Sequence, residues 1–191
     1  MADKAPWRTV IKKYAICGSG VAAMEFALIA PILIALFFGV IESSDAMARS
    51  RQVTLAVNTL VDLAAQETQI ETAELDDLFD GVEQIMETGG APAIIRLVSV
   101  GVDADGDPVV QWSRDNAGDA PYAAGAPYEG LPASTLIDAG ATILISEVNY
   151  TYTSKLTHFV IPSISFERSA TRWPRRSLRI RLCSSLSGVC S

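Results

Sequence analysis

Apolar residues crowd one end of the chain. From Tyr14 to Ile41 the 28 residues hold a single charge, Glu25, and the run exceeds the roughly 20 apolar residues a helix needs to cross a bilayer. After Glu42 the pattern turns amphipathic. Val53, Val57, Leu60 and Ala64 recur at helical spacing, which carries one apolar face on to about Ala65. A second helix is predicted by Leu75, Leu78, Phe79, Val82, Ile85 and Met86, with Thr72 as cap, Glu74 in the first turn and Gly89-Gly90 as the stop.

Period-two patterns take over beyond that point. Residues 94 to 100 and 109 to 114 flank Asp103-Ala104-Asp105-Gly106-Asp107-Pro108 and read as a β-hairpin. A loop rich in Gly, Ala and Pro follows from Asp115 to Ser134, too poor in bulky residues to hold a core of its own. Ala141 to Thr153 is a long strand whose stretch from Glu147 to Tyr152 alternates aromatic and polar, and residues 159 to 170 and 178 to 183 supply one or two more. The fold class is therefore α+β: a long N-terminal helix, then a second helix and a small, mainly antiparallel sheet. Residues 43 to 191 number 149, which suits one folded domain and not two.

Hydrophobic residues make up 49% of the 191, aromatic residues only 7%, and the mean hydropathy is +0.26. With the apolar residues gathered in one run, a wholly soluble cytoplasmic enzyme is excluded. Charge is equally uneven. Residues 1 to 20 carry Lys4, Arg8, Lys12 and Lys13 against Asp3, a net of +3, so a total of −7 leaves −10 for the rest. Basic residues flanking a span stay on the cytoplasmic side, which places the short N-terminus inside and the large C-terminal part outside, in the periplasm of a bacterium. In that oxidising compartment Cys183 and Cys190, with six residues between them, are expected to pair; two free thiols near a chain end are the alternative.

Between Arg51 and Arg96 there is no Lys or Arg but there are nine acidic residues, among them Asp62, Glu74, Asp76, Asp77 and Asp80. After Glu167 the sign inverts: Arg168, Arg172, Arg175, Arg176, Arg179 and Arg181 follow with no acid. The acidic stretch is either a solvated helix face or a dock for the Arg-rich tail, within one chain or between subunits.

Catalytic chemistry finds little footing. His158 is the lone histidine, with no nucleophile and orienting acid recognisable around it. The three cysteines form no CxxC pair. An EF-type loop starting at Asp103 would need Gly and Glu where Pro108 and Arg114 stand. Phosphate-binding glycine loops are missing, and the arginines lack the interleaved aromatics of a nucleic-acid groove. The expectation is no catalytic residue, no metal, no cofactor, no nucleic acid and no small-molecule substrate.

Three identities compete for the apolar run. A secretory signal would use Phe26 to Ile41 as its core and be cut after Ala48, at Ala46-Met47-Ala48, but that core contains Pro31 and follows a long leader. A plain anchor leaves Glu25 unexplained, since an ionisable carboxyl in a span is costly. The third begins from Gly20-Val21-Ala22-Ala23-Met24-Glu25-Phe26 behind a basic leader, which resembles the processing site of type IV pilin-like proteins. There a prepilin peptidase cuts after the glycine and the carboxylate becomes residue five of the mature chain. Cleavage would create an ammonium at Val21, one turn from Glu25, able to pair with it or with the carboxylate of a neighbouring subunit.

The run Glu25-Phe26-Ala27-Leu28-Ile29-Ala30-Pro31, with Gly39-Val40-Ile41-Glu42 further on, narrows the resemblance to the TadE-like family, small pseudopilins of the tight adherence (Flp pilus) system. Pro31 removes a hydrogen bond to the carbonyl of Ala27, so a kink is expected there. The Trp112-Ser113 strand, the Glu147-Val148-Asn149-Tyr150-Thr151-Tyr152 strand and Trp173-Pro174-Arg175-Arg176 before Cys183 also look like the periplasmic domains of that family. The resemblance implies a basic leader at 1–20, a transmembrane and stem helix at 21–65 and a periplasmic domain at 66–191. It implies cleavage between Gly20 and Val21, assembly through Glu25, Phe26 and Pro31, and a role as a non-enzymatic minor pilin in the inner membrane. Prepilin peptidase, other pilins or pseudopilins and the pilus assembly platform are the implied partners. A secreted domain released by signal peptidase and a membrane-anchored periplasmic enzyme are the alternatives.

Overall fold

The computed structural model describes residues 20–86, 93–131, 137–154, 163–184 and 188–190. The leader with Cys17, the Gly89-Gly90 stop, His158 and the start of the strand expected from residue 159 lie outside them. Eight elements follow in order: α1 (Gly20–Ala64), β1 (Gln69–Glu71), α2 (Thr72–Met86), β2 (Ala93–Val102), β3 (Pro108–Asp115), β4 (Ile143–Tyr152), β5 (Ile164–Arg172) and β6 (Arg181–Cys183). The chain divides into two compact units, Met1–Ser44 and Asp45–Ser191, with the boundary inside α1. The fold is α+β, as the pattern predicts.

Within the first unit α1 is apolar on every side and continues through Pro31 as one helix. In the second unit it becomes one-sided: Val53, Ala56, Val57, Leu60, Val61 and Ala64 are all buried, a stripe at spacings of three and four. Helix α2 contributes Leu75, Phe79, Val82 and Met86 from its own inward stripe. It starts at the expected cap itself, one residue early. Thr72 is already helical, and Glu74 in the first turn accepts a hydrogen bond from the amide of Glu71 at 3.5 Å, the reach-back half of a capping box.

The main sheet has the order β3-β2-β4-β5, antiparallel throughout. Ile95 lies opposite Val148 and Leu97 opposite Ser146, so one face carries Ile95, Leu97, Leu144, Val148, Tyr150 and Tyr152 into a single core with both inward helix stripes of the second unit. The opposite face holds Val98, Val100, Val110, Ile143 and Ile145, covered by Tyr128 and Ile137. The long loop after β3, though it holds no core of its own, thus supplies a cover for half the sheet. Val110 and Trp112 would share a face in a regular strand. A bulge shifts the register at Ser99/Val100, so Val110 joins the second core and Trp112 the first.

The two Asp-rich turns bounding β3 are built alike. Asp103 Oδ1 accepts the amides of Asp105 (3.0 Å) and Asp107 (2.9 Å), and Asp115 Oδ1 accepts those of Ala117 (3.0 Å) and Asp119 (2.8 Å). Each closes through a glycine at φ 88°, Gly106 and Gly118, a conformation few other residues tolerate. The first aspartate of each turn is spent on backbone amides, which is why the Asp-rich hairpin is a turn.

Strand β6 does not join the main sheet. It pairs in parallel with the three-residue β1, Ile70 opposite Leu182, a strand too short for the period-two pattern to betray. Just before it the tail is pinned from two sides: the buried indole N–H of Trp112 donates to the carbonyl of Ile180 at 2.8 Å, and the amide of Thr142 donates to the carbonyl of Leu178 at 2.9 Å.

Helix α2 is tied to β3 by a two-pronged contact, Arg114 Nε and Nη2 each 2.8 Å from the Asp76 carboxylate. The guanidinium holds the Asp76 carboxyl below its ordinary range, chiefly through the hydrogen bonds, partly offset by desolvation. A carboxyl with a depressed folded-state pKa stabilises the fold above the unfolded value, about 3.9, and loses that contribution as pH falls through the lowered one. With the Asp76 side chain 49% exposed, solvent screening limits the gain to about 1 kcal/mol or less. Asp76→Asn is therefore slightly less stable than the parent at neutral pH, and urea titrations of the two converge below about pH 4; a gap of constant size down to pH 2 would contradict the assignment.

Candidate functional site

The segment of α1 within the first unit is the most unusual surface among the described residues. Met24, Phe26, Leu28, Ile32, Phe37 and Val40 are all more than half exposed, and they point in every direction around the axis. Isolated in water such a helix has nothing to bury against; its composition suits hydrocarbon on all sides. It is the one helix among the described residues long and apolar enough to cross a membrane. Toward the end of the apolar stretch, Ser43 Oγ donates to the carbonyl of Gly39 at 2.7 Å and Ser44 Oγ to that of Val40 at 2.8 Å, so both hydroxyls are satisfied inside the helix itself.

Each residue singled out from the sequence falls on this segment except the cysteines. Gly20 opens α1, and a Cβ placed there would meet nothing within 4 Å among the described residues. Val21 follows, 60% exposed. Glu25 is exposed one turn further along, about 6 Å by helical rise, on the same face as Val21 and with no side-chain hydrogen bond or ion pair among the described residues. Phe26 projects beside it and Pro31 sits within the uninterrupted helix.

Cys183 and Cys190 close a disulfide at the far end of the chain. The Arg-rich tail does engage the acidic segment within the chain, at one place. Asp62 on α1 meets both Arg175 and Arg172, the latter at 3.8 Å, while Arg172 Nη2 also donates to Asn58 Oδ1 at 3.0 Å. Asp76 goes instead to Arg114, a partner from the middle of the sequence.

A cluster not foreseen from sequence lies on the face of the sheet that the loop after β3 covers. Arg96 and Glu147 are opposite each other on β2 and β4, and Tyr128 and Tyr122 donate their hydroxyls to Glu147 at 2.6 and 2.9 Å. Arg96, Tyr128 and Glu147 border a cavity of about 350 Å³ shared with Asn149, Glu167 and Ser169. Desolvation, then the bond to Glu147, raises the pKa of both phenols, so the tyrosines remain protonated donors and the carboxylate is occupied by them. The arrangement clamps the loop after β3 onto the sheet. The two tyrosines stand alone in a Gly, Ala and Pro-rich loop, so no periodicity marked them.

Comparison with curated proteins and with solved structures finds no match. The TadE-like protein family does match, over residues 20–67, a span that opens at Gly20, contains Glu25, Phe26 and Pro31, and ends just past α1. Over that segment the chain is similar to TadE-like proteins.

Proposed function

We propose that the protein is a membrane-anchored minor pilin, or pseudopilin, required for assembly of a tight adherence (Flp) pilus that supports surface adhesion. Prepilin peptidase cuts between Gly20 and Val21. The mature helix then sits in the inner membrane with its N-terminus cytoplasmic and the domain after it periplasmic, beside other pilins and the assembly platform. The observation that carries this reading is the all-round apolar helix with one carboxylate, Glu25, a single turn from Val21. The TadE-like match over the same residues supports it. The helix contributes by packing, not by chemistry: its side chains offer dispersion contacts and one charge.

Processing is tested at Gly20. A Cβ placed there meets nothing within 4 Å among the described residues, so the effect expected of Gly20→Leu is at the protease subsite. Cleavage is expected to stop, leaving the leader attached. N-terminal sequencing of the parent discriminates the alternatives: Val21 as first residue supports the pilin reading, Arg49 a secreted domain, and an intact leader a plain anchor. A Val21 terminus recovered from Gly20→Leu would refute the subsite argument.

A further inference from the structure

The second unit carries two surfaces of opposite sign that do not meet within one copy. On the loop between β5 and β6, Arg176 and Arg179 are exposed and have no side-chain partner among the described residues, with Trp173 and Leu178 standing out beside them at 46% and 74% exposure. On α2 the outward stripe is Glu74, Asp77 and Asp80, at successive spacings of three. That helix has no Lys or Arg, and the two aspartates have no side-chain partner among the described residues. Three neighbouring carboxylates are already engaged: Asp62 with Arg172 and Arg175, Asp76 with Arg114, and Glu83 with Asn116 at 2.6 Å.

We propose that the β5–β6 loop of one copy docks on the outer stripe of α2 of a second copy of this chain. The two surfaces differ, so the contact is heterologous: each copy that uses one surface leaves the other free, and the pattern repeats in a row or ring. Exposed Trp173 and Leu178 supply the apolar centre, with the charges setting register and partner choice. An anionic lipid headgroup is the other occupant for these arginines; the acidic stripe of α2, a helix without Lys or Arg, supplies the complement that a second copy brings, and the test below separates the two.

The inference concerns residues 45 to 191 and stands apart from the pilin reading of the N-terminal helix. Its test uses the full chain in detergent, with mass photometry or sedimentation across a salt series. The parent is expected to self-associate at low salt and to dissociate at about 0.5 M, where exposed charges are screened. Arg176→Glu with Arg179→Glu, and separately Asp77→Arg with Asp80→Arg, each weaken association by about tenfold or more. The two variants mixed one to one recover it, because each reversed face then meets its complement; this arm needs no four-site variant to fold. Association unmoved by either reversal, or a mixture no stronger than its components, overturns the proposal. So does association that appears only when anionic lipid is added, which would assign the arginines to headgroups.

Discussion

Glu25→Ala is expected to abolish pilus assembly while leaving cleavage and membrane insertion intact. The substitution makes the span more apolar, which eases insertion, and Glu25 has no intrachain side-chain partner among the described residues whose loss would unfold the monomer. Under the proposed function, what it removes is the counter-charge for the ammonium of a processed Val21 on a neighbouring helix. Removing one partner of a buried pair costs on the order of 3–5 kcal/mol, because the other charge is stranded in an apolar surrounding. The measurement is a piliation assay beside an immunoblot of membrane fractions from the same cells. Normal pili would refute the pairing, and loss of the protein itself would reveal a role for the carboxylate within the monomer.

Trp112→Ala is expected to destabilise the second unit by about 3–5 kcal/mol, the range for emptying a large aromatic site in a core. Trp112 is 4% exposed and packs in the main core. Its indole is also the donor for the Ile180 carbonyl, so the truncation leaves a backbone acceptor near the tail unpaired. For a chain of this size that amounts to roughly 10 °C or more in unfolding midpoint. Trp112→Phe, which keeps most of the volume and loses the donor, falls between the two. Trp173→Ala, at an exposed ring, moves the midpoint little. Thermal unfolding followed by near-ultraviolet circular dichroism separates the three; equal effects at Trp112 and Trp173 would contradict the buried role of the former.

The helices and four long strands were legible in the sequence because each carries its own period. Val53, Val57, Leu60 and Ala64 announce α1, and Glu147 to Tyr152 announce β4, through spacing that a reader can count. The elements that escaped are those whose position is decided by a partner far away. Strand β1 exists only because Arg181 to Cys183 lies beside it, and three residues show no alternation. The bulge that turns Val110 and Trp112 to opposite faces adds one residue without a compositional mark. In the apolar segment the reverse holds: Gly20, Glu25 and Pro31 are conspicuous as single departures from an apolar run, so the proposed site stands out in the sequence where the clamp on the sheet does not. The Tyr122, Tyr128 and Glu147 clamp was hidden because it joins a strand to a loop with no pattern of its own.

The pairing of β1 with β6 links residues 112 positions apart, Gln69 opposite Arg181, and it imposes an order on biosynthesis. A chain emerging from the ribosome can complete α1, α2 and the four-stranded sheet by Arg172, yet the joint between α1 and α2 stays open until Arg181 to Cys183 arrive. Contacts of such long separation form late because the intervening chain must be closed first. Until then the backbone groups of Gln69 to Glu71 are an unpaired strand edge, open to a segment from another chain. Truncation near the C-terminus therefore does its damage at the foot of the stem helix, far from the cut in sequence.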